Sequence, residues 1–177
     1  FKTIRELIKS GISPMTLRYF VLTVNYRKPL DFTEESLKCA AEAWKNINIA
    51  LSLVEISKGS SISFNLNERN ELIEEKYKKT VCNEISQKKN KFVDFLSNDL
   101  NTAGAIAIIY ELAKPLKNFI NQFKRLNSVE INSNEKFFLI ENFKTLKELS
   151  EVLGLKKENL LIESKIEEEE ILSLINE

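Results

Sequence analysis

Few side chains in this sequence could carry covalent or acid–base chemistry. There is no histidine, which removes the group that titrates nearest neutrality and the commonest metal ligand. The two cysteines, Cys39 and Cys82, stand far apart with no further ligand at metal-binding spacing, so they do not read as a zinc site. Both fall in helical patterns, where inert packing is expected of them, and free thiols suit a reducing cytoplasm. Asp99 has no second carboxylate or base spaced to partner it, and it is not read as catalytic. What remains is cationic. Lys76, Lys78, Lys79, Lys88, Lys89 and Lys91 make the most basic stretch, and Arg18, Arg27 and Lys28 add charge near the start. The chemistry open to these groups is capture of a polyanion, where each neutralised phosphate contributes through counterion release. The plainer readings are a solvated helix face for the lysine run and an ion pair with a nearby acid for Arg27 and Lys28.

Such charges need a frame. The chain has 177 residues, 43% of them hydrophobic, enough for one folded domain with a core. Four glycines and three prolines leave few breakers and favour long helices. Lys plus Arg equals Asp plus Glu at 26 each, whereas a dedicated nucleic-acid binder carries a basic excess. Any RNA contact must therefore use a local patch, and affinity should be weak for this piece alone. No signal peptide or long apolar span is read in the sequence, so a soluble cytoplasmic protein is expected. The opening Phe1 suggests a piece of a longer chain.

The hydrophobic spacing predicts an all-α antiparallel bundle. Thr3 and Glu6 have capping-box form, and Gly11 can close the short helix between them. Ser13-Pro14 starts a second helix that ends before Pro29. A third is capped by Thr33 and runs to Gly59, with Leu37, Ala40, Trp44, Ile47 and Leu51 on its inner side; Trp44 reads as a core anchor rather than an RNA-stacking platform. Residues 60–66 read as a connection. A fourth helix is expected from about Asn67 to Leu96, with Leu72 and Ile73 at its start. The clearest stripe, Ile106, Ile109, Tyr110, Ala113, Leu116, Phe119, Ile120 and Phe123, marks a helix from Thr102 to about Leu126, which Pro115 is expected to kink. Another runs from about Asn134 to Leu153 and stops at Gly154. Leu155 to Ser164 looks irregular, and a last short helix opens at Glu167 with Ile171, Leu174 and Ile175 available to dock it.

Two segments carry a resemblance. Met15-Thr16-Leu17-Arg18-Tyr19-Phe20 and Tyr26-Arg27-Lys28-Pro29-Leu30-Asp31-Phe32 are similar to the stretch of cysteinyl-tRNA synthetases that follows their mobile ATP-binding loop. There, a helix reading roughly Asp-x-Leu-Arg-Tyr-Phe precedes a Tyr-Arg-x-Pro-Leu-x-Phe turn. The run Asp99-Leu100-Asn101-Thr102-Ala103-Gly104-Ala105 resembles the family's Asp-Phe-Asn-Thr-Pro-x-Ala segment, with Ala103 in place of the proline. Asp99, Asn101 and Thr102 are also good turn and capping residues in their own right.

The resemblance implies a C-terminal fragment whose catalytic domain lies elsewhere. Residues 1–32 would be the stem-contact segment, 33–153 the helical anticodon-binding-type bundle, and 154–177 an irregular connection opening into a C-terminal helix. The His-Ile-Gly-His signature, the zinc ligands and the mobile-loop lysine of the family are not in this sequence, so zinc and ATP are expected in the missing domain and no cofactor here. The parent reaction would be activation of cysteine with ATP and its transfer to tRNA(Cys), with this part positioning the tRNA. The implied contact candidates are Arg18, Arg27, Lys28, Lys76, Lys79, Lys88 and Lys89. A monomer with no membrane role is expected. Two other readings stay open: a paralogous cysteine ligase acting on a small amine, and a helical protein-interaction module without an RNA role.

Overall fold

The computed structural model describes residues 3–57, 64, 73–126 and 129–159. Seven helices and no strand occur among the described residues, as the spacing of apolar residues requires. They are α1 (Ile4–Lys9), α2 (Pro14–Leu22), α3 (Glu34–Leu51), α4 (Leu53–Ile56), α5 (Glu75–Ser97), α6 (Thr102–Leu126) and α7 (Ser133–Val152).

The ends of these helices are set locally. Thr3–Glu6, Thr33–Ser36 and Asn132–Glu135 form reciprocal capping boxes, and Ser13 caps α2 ahead of Pro14. Each satisfies donors that the first turn leaves open. Gly11 and Gly154 take φ of +92° and +67°. At both, the two N–H groups past the helix end bond back to its last turn: Gly11 to Ile8 and Ile12 to Leu7, then Gly154 to Glu151 and Leu155 to Ser150. This paired closure needs a left-handed residue, which glycine supplies without a Cβ clash.

Two boundaries differ from the sequence reading. The helix expected to reach Gly59 divides at Ser52, whose buried hydroxyl donates to the Asn48 carbonyl at 2.9 Å. That bond competes with the backbone ladder, and α4 follows as a separate turn. Gly59 itself, the 60–66 connection apart from Phe64, and Leu72 lie outside the described residues. Of the helix expected from about Asn67, residues 67–72 lie outside the described residues, and the described helix begins at Glu75. Ile73 precedes it as a buried, non-helical anchor, and apolar spacing alone does not separate such an anchor from a first helical turn. The helix expected after Glu167, with Ile171, Leu174 and Ile175, is outside the described residues too.

α6 packs against α3, α5 and α7. Ile109, Leu112, Leu116 and Ile120 on it are fully buried, each contributing about 1.5–3 kcal/mol relative to exposure. That burial carries α6 through Pro115, which removes one intrahelical donor without ending the helix. Phe119 is half-buried, meeting Phe64 edge-on and stacking on Phe123. It is an aromatic margin of the core, so the large truncation cost expected of a fully buried ring does not apply to it. Tyr77 of α5 lies near Glu135 of α7, and Lys89 pairs with Glu148 further along both helices, so α5 and α7 run the same way with α6 returning between them. α1 and α2 join the same core through Leu7, Tyr19 and Phe20. Burial raises the Tyr19 phenol above its ordinary pKa, helped by Tyr110 nearby.

Gly104 permits a close approach between α5 and α6. A Cβ there would meet the Phe95 ring at 2.5 Å, so α5 and α6 come together where one of them has no side chain. Gly104→Ala should gain helix propensity of about 0.8–1 kcal/mol and lose about 1–3 kcal/mol to overpacking. A net fall in chemical-denaturation midpoint is expected; a rise would mean that the ring moves aside freely.

Candidate nucleic-acid interface

The cations singled out in the sequence do not form one front. On α5, Lys76 and Lys79 are exposed near its start, while Lys88 and Lys89 are half-buried. At 3.6 residues per turn, Lys88 lies about 120° around the axis from Lys76. Lys89 is held by Glu148 at 2.5 Å, and Lys78 by Glu75 at 3.1 Å. The α5 lysines are therefore split between sides and partly engaged with acids. Arg18 is exposed but lies over the end of α7: a Cβ on Gly154 would be 2.9 Å from its Nη1. A cation suits that position, where the last helical carbonyls concentrate negative charge.

Arg27 and Lys28 are different. They occupy the turn between α2 and α3 and are exposed. The Asn25 side chain accepts the Arg27 N–H at 2.9 Å, and its carbonyl accepts the Lys28 N–H at 2.9 Å, a local turn that asparagine favours. From there the turn reaches the α5–α6 connection. Arg27 Nη2 and the Tyr26 hydroxyl both donate to Asp99 Oδ1 at 2.8 Å, and Arg27 Nε donates to the Tyr26 oxygen at 2.9 Å. The two segments that carry the sequence resemblance thus meet in space through Tyr26, Arg27 and Asp99. The ion pair that was the plainer reading of Arg27 is present.

The Asp99 side of this clasp is strained. Asp99 and Leu100 are consecutive non-glycine residues at φ +55° and +49°, a backbone region that costs about 1–2 kcal/mol per residue. Exposed ion pairs return about 0–1 kcal/mol, and this one is exposed on both sides, at 66% for Arg27 and 47% for Asp99. The pair alone does not repay the strain. Asn101 then caps α6, its Oδ1 accepting the Gly104 N–H at 3.0 Å, as its residue type suggested.

A second polar cluster had no signal in the sequence. Glu158, in the segment read as irregular, accepts from Trp44 Nε1 at 2.8 Å and Ser13 Oγ at 2.9 Å through Oε2. Its backbone N–H and carbonyl pair with the Asn48 side chain at 3.0 and 3.1 Å. Leu155 is buried just ahead of it, and Lys157 pairs with Glu55. The stretch after α7 is thereby fastened across α2, α3 and α4. Trp44, 3% exposed, is the core anchor expected of it, with its one polar atom spent on this latch. Cys39 and Cys82, expected to pack, are exposed. Their neighbours Ala40 and Val81 take the buried positions, and one step along a helix turns a side chain by about 100°.

A model of the DALR domain matches residues 91–157. The match takes in the end of α5, the strained turn, α6, α7 and the docked stretch as far as Lys157. Those residues are similar to a DALR domain. The whole chain is 71% identical to a cysteine–tRNA ligase of Prochlorococcus marinus strain AS9601 over 177 residues, 36% of that ligase, and 71% identical to that of strain MIT 9312 over the same length and share. A cysteine–tRNA ligase of strain NATL1A is 41% identical over 161 residues, 88% of this chain and 31% of the ligase. The chain spans about a third of the length of these relatives and matches their C-terminal region. Neither the small-amine ligase nor the interaction-module reading draws support from these likenesses. Arg27 precedes the matched DALR residues and Asp99 lies within them, so the clasp ties the matched stretch to the segment before it.

Trp44→Phe tests the latch. It keeps the ring in the core and removes the N–H that Glu158 accepts, with an expected cost of about 1–2 kcal/mol for a hydrogen bond to a charged, half-buried acceptor. A lower denaturation midpoint with unchanged m value is the expected reading; an unchanged midpoint would make the bond energetically idle.

Proposed function

We propose that this chain is the tRNA-positioning part of a cysteine–tRNA ligase. The whole protein would activate cysteine with ATP and transfer it to tRNA(Cys) in the cytoplasm, acting as a monomer. The observation that carries this reading is the likeness along the whole chain to proteins named cysteine–tRNA ligase. Residues 1–32 would contact the tRNA stem, 33–153 would form the anticodon-binding-type bundle, and 154–177 would lead onward. Zinc and ATP belong, on this reading, to the part of the ligase outside this sequence. The residues here fit neither: the sequence has no histidine and no glycine-rich phosphate loop, and no group of three or more metal-ligating side chains gathers among the described residues.

The physical contribution of the chain is rigidity. A helical frame with a continuous core holds one end of a long RNA so that its other end arrives at a distant active site, and misplacement at that site is costly in rate. Contacts that hold a stem go mainly to phosphates and to shape. Arg27 and Lys28 are the best-placed cations, because they are adjacent and exposed on one turn. Lys76 and Lys79 are the next candidates; Arg18, Lys88 and Lys89 are weaker ones, given their burial or engagement.

The test uses the intact ligase and a tRNA(Cys) transcript, titrated at several salt concentrations. Binding that weakens with salt is expected, and Arg27→Ala should lower the salt slope by about one phosphate's worth. Binding indifferent to salt would refute the reading. Separately, the purified chain alone should give no cysteine-dependent pyrophosphate exchange; exchange above background would place catalytic groups within it.

A further inference from the structure

We infer that Tyr26, Arg27 and Asp99 form a preset hook for one RNA backbone phosphate, in which Asp99 is a positioning residue for Arg27. The inference rests on the tRNA reading above and adds to it how the arginine is held. Three observations carry it. First, the guanidinium is held along one edge and over the Tyr26 ring, 5.3 Å from its centroid, with the outer edge left open. Nε is held by Tyr26 and Nη2 by Asp99, while Nη1 has no partner among the described residues. Two parallel donors suffice for a phosphate, and an arginine offers five. Anchoring one edge therefore leaves the outer edge aimed and solvated, consistent with a side chain 66% exposed. Secondly, the surroundings suit a nucleic acid. Lys28 adds a second exposed cation, and Tyr26 and Leu100 are exposed at 61% and 59%, large apolar faces against which a ribose or an unpaired base can lie. Thirdly, the anchor is expensive. Asp99 and Leu100 both hold left-handed backbone, and an exposed ion pair does not repay that. Strain of this kind persists where the surroundings over-determine it, and it gathers at binding sites.

A carboxylate beside an arginine can also act against an anion, by competing for the same donors. The geometry favours positioning over competition. Asp99 Oδ1 accepts from Tyr26 as well as from Arg27, so its charge is shared between two donors, and a phosphate can approach Nη1 without displacing it. The cost of ordering a long side chain is met before the RNA arrives, which is where preorganised binding gains its affinity.

The experiment compares four forms of the intact ligase, titrated with a tRNA(Cys) transcript across salt concentrations. Arg27→Ala is expected to weaken binding about tenfold and to lower the salt slope by about one contact. Asp99→Asn is expected to weaken binding about 3- to 10-fold with the slope kept, since the charge that meets the phosphate remains. The double variant should bind no worse than Arg27→Ala, because a buttress without its arginine has nothing to hold. Tyr26→Phe, which deletes only the bridging hydroxyl, should move affinity in the same direction as Asp99→Asn and serves where that variant does not fold. Binding unchanged in Asp99→Asn and Tyr26→Phe, tighter binding in Asp99→Asn, or additive losses in the double variant would each overturn the hook. Failure of the wild-type ligase to bind the transcript in a salt-dependent way would overturn the tRNA reading itself, and the hook with it.

Discussion

The constraint on which the rest depends is burial of α6 on three sides. A helix that packs against α3, α5 and α7 at once needs a broad apolar face, and its Ile and Leu rows supply this from Ile106 to Ile120. Close packing then fixes the distances. α5 can approach the first turn of α6 only because Gly104 has no side chain opposite the Phe95 ring. That approach fixes the turn between them, and the turn carries Asp99. A core requirement deep in the bundle thus ends as the position of a carboxylate on the surface.

Polar fastenings at the margins complete the frame, and they join parts remote in sequence. Tyr26 and Arg27 reach Asp99 across the end of the bundle, while Ser13, Trp44 and Asn48 hold Glu158. Each fastening is made of modest bonds, and neither would define the fold alone. Their effect is directional. One fixes the turn before α3 against the connection between α5 and α6, and the other fixes the path of the chain as it leaves α7. On the proposed reading, a part that presents RNA at a set angle needs its entry and exit held as firmly as its core.

Zero net charge shapes the functional reading. Long-range attraction for a polyanion is absent on balance, and several lysines are committed to acids. Affinity must then come from a few placed cations rather than from a field, which raises the value of orienting each one. Arg27 is the cation whose surroundings do this most fully.

Much of this was legible in the residues themselves. The capping pairs at Thr3, Ser13 and Thr33, the glycine closures at Gly11 and Gly154, and the α6 stripe each depend on neighbours within a turn or two, so local order determined them. The likeness of the Tyr26–Phe32 and Asp99–Ala105 segments to a known family was also in the sequence. Tertiary structure decided the rest. It divided the third helix at Ser52 through a buried hydroxyl and left Cys39 and Cys82 outside by one step of helical rotation. It also made a single clasp of Arg27 and Asp99, and gave Glu158 distant partners at the start of α2 and on α3. Those outcomes depend on which surfaces meet, and meeting is a property of the packed chain that spacing along it does not contain.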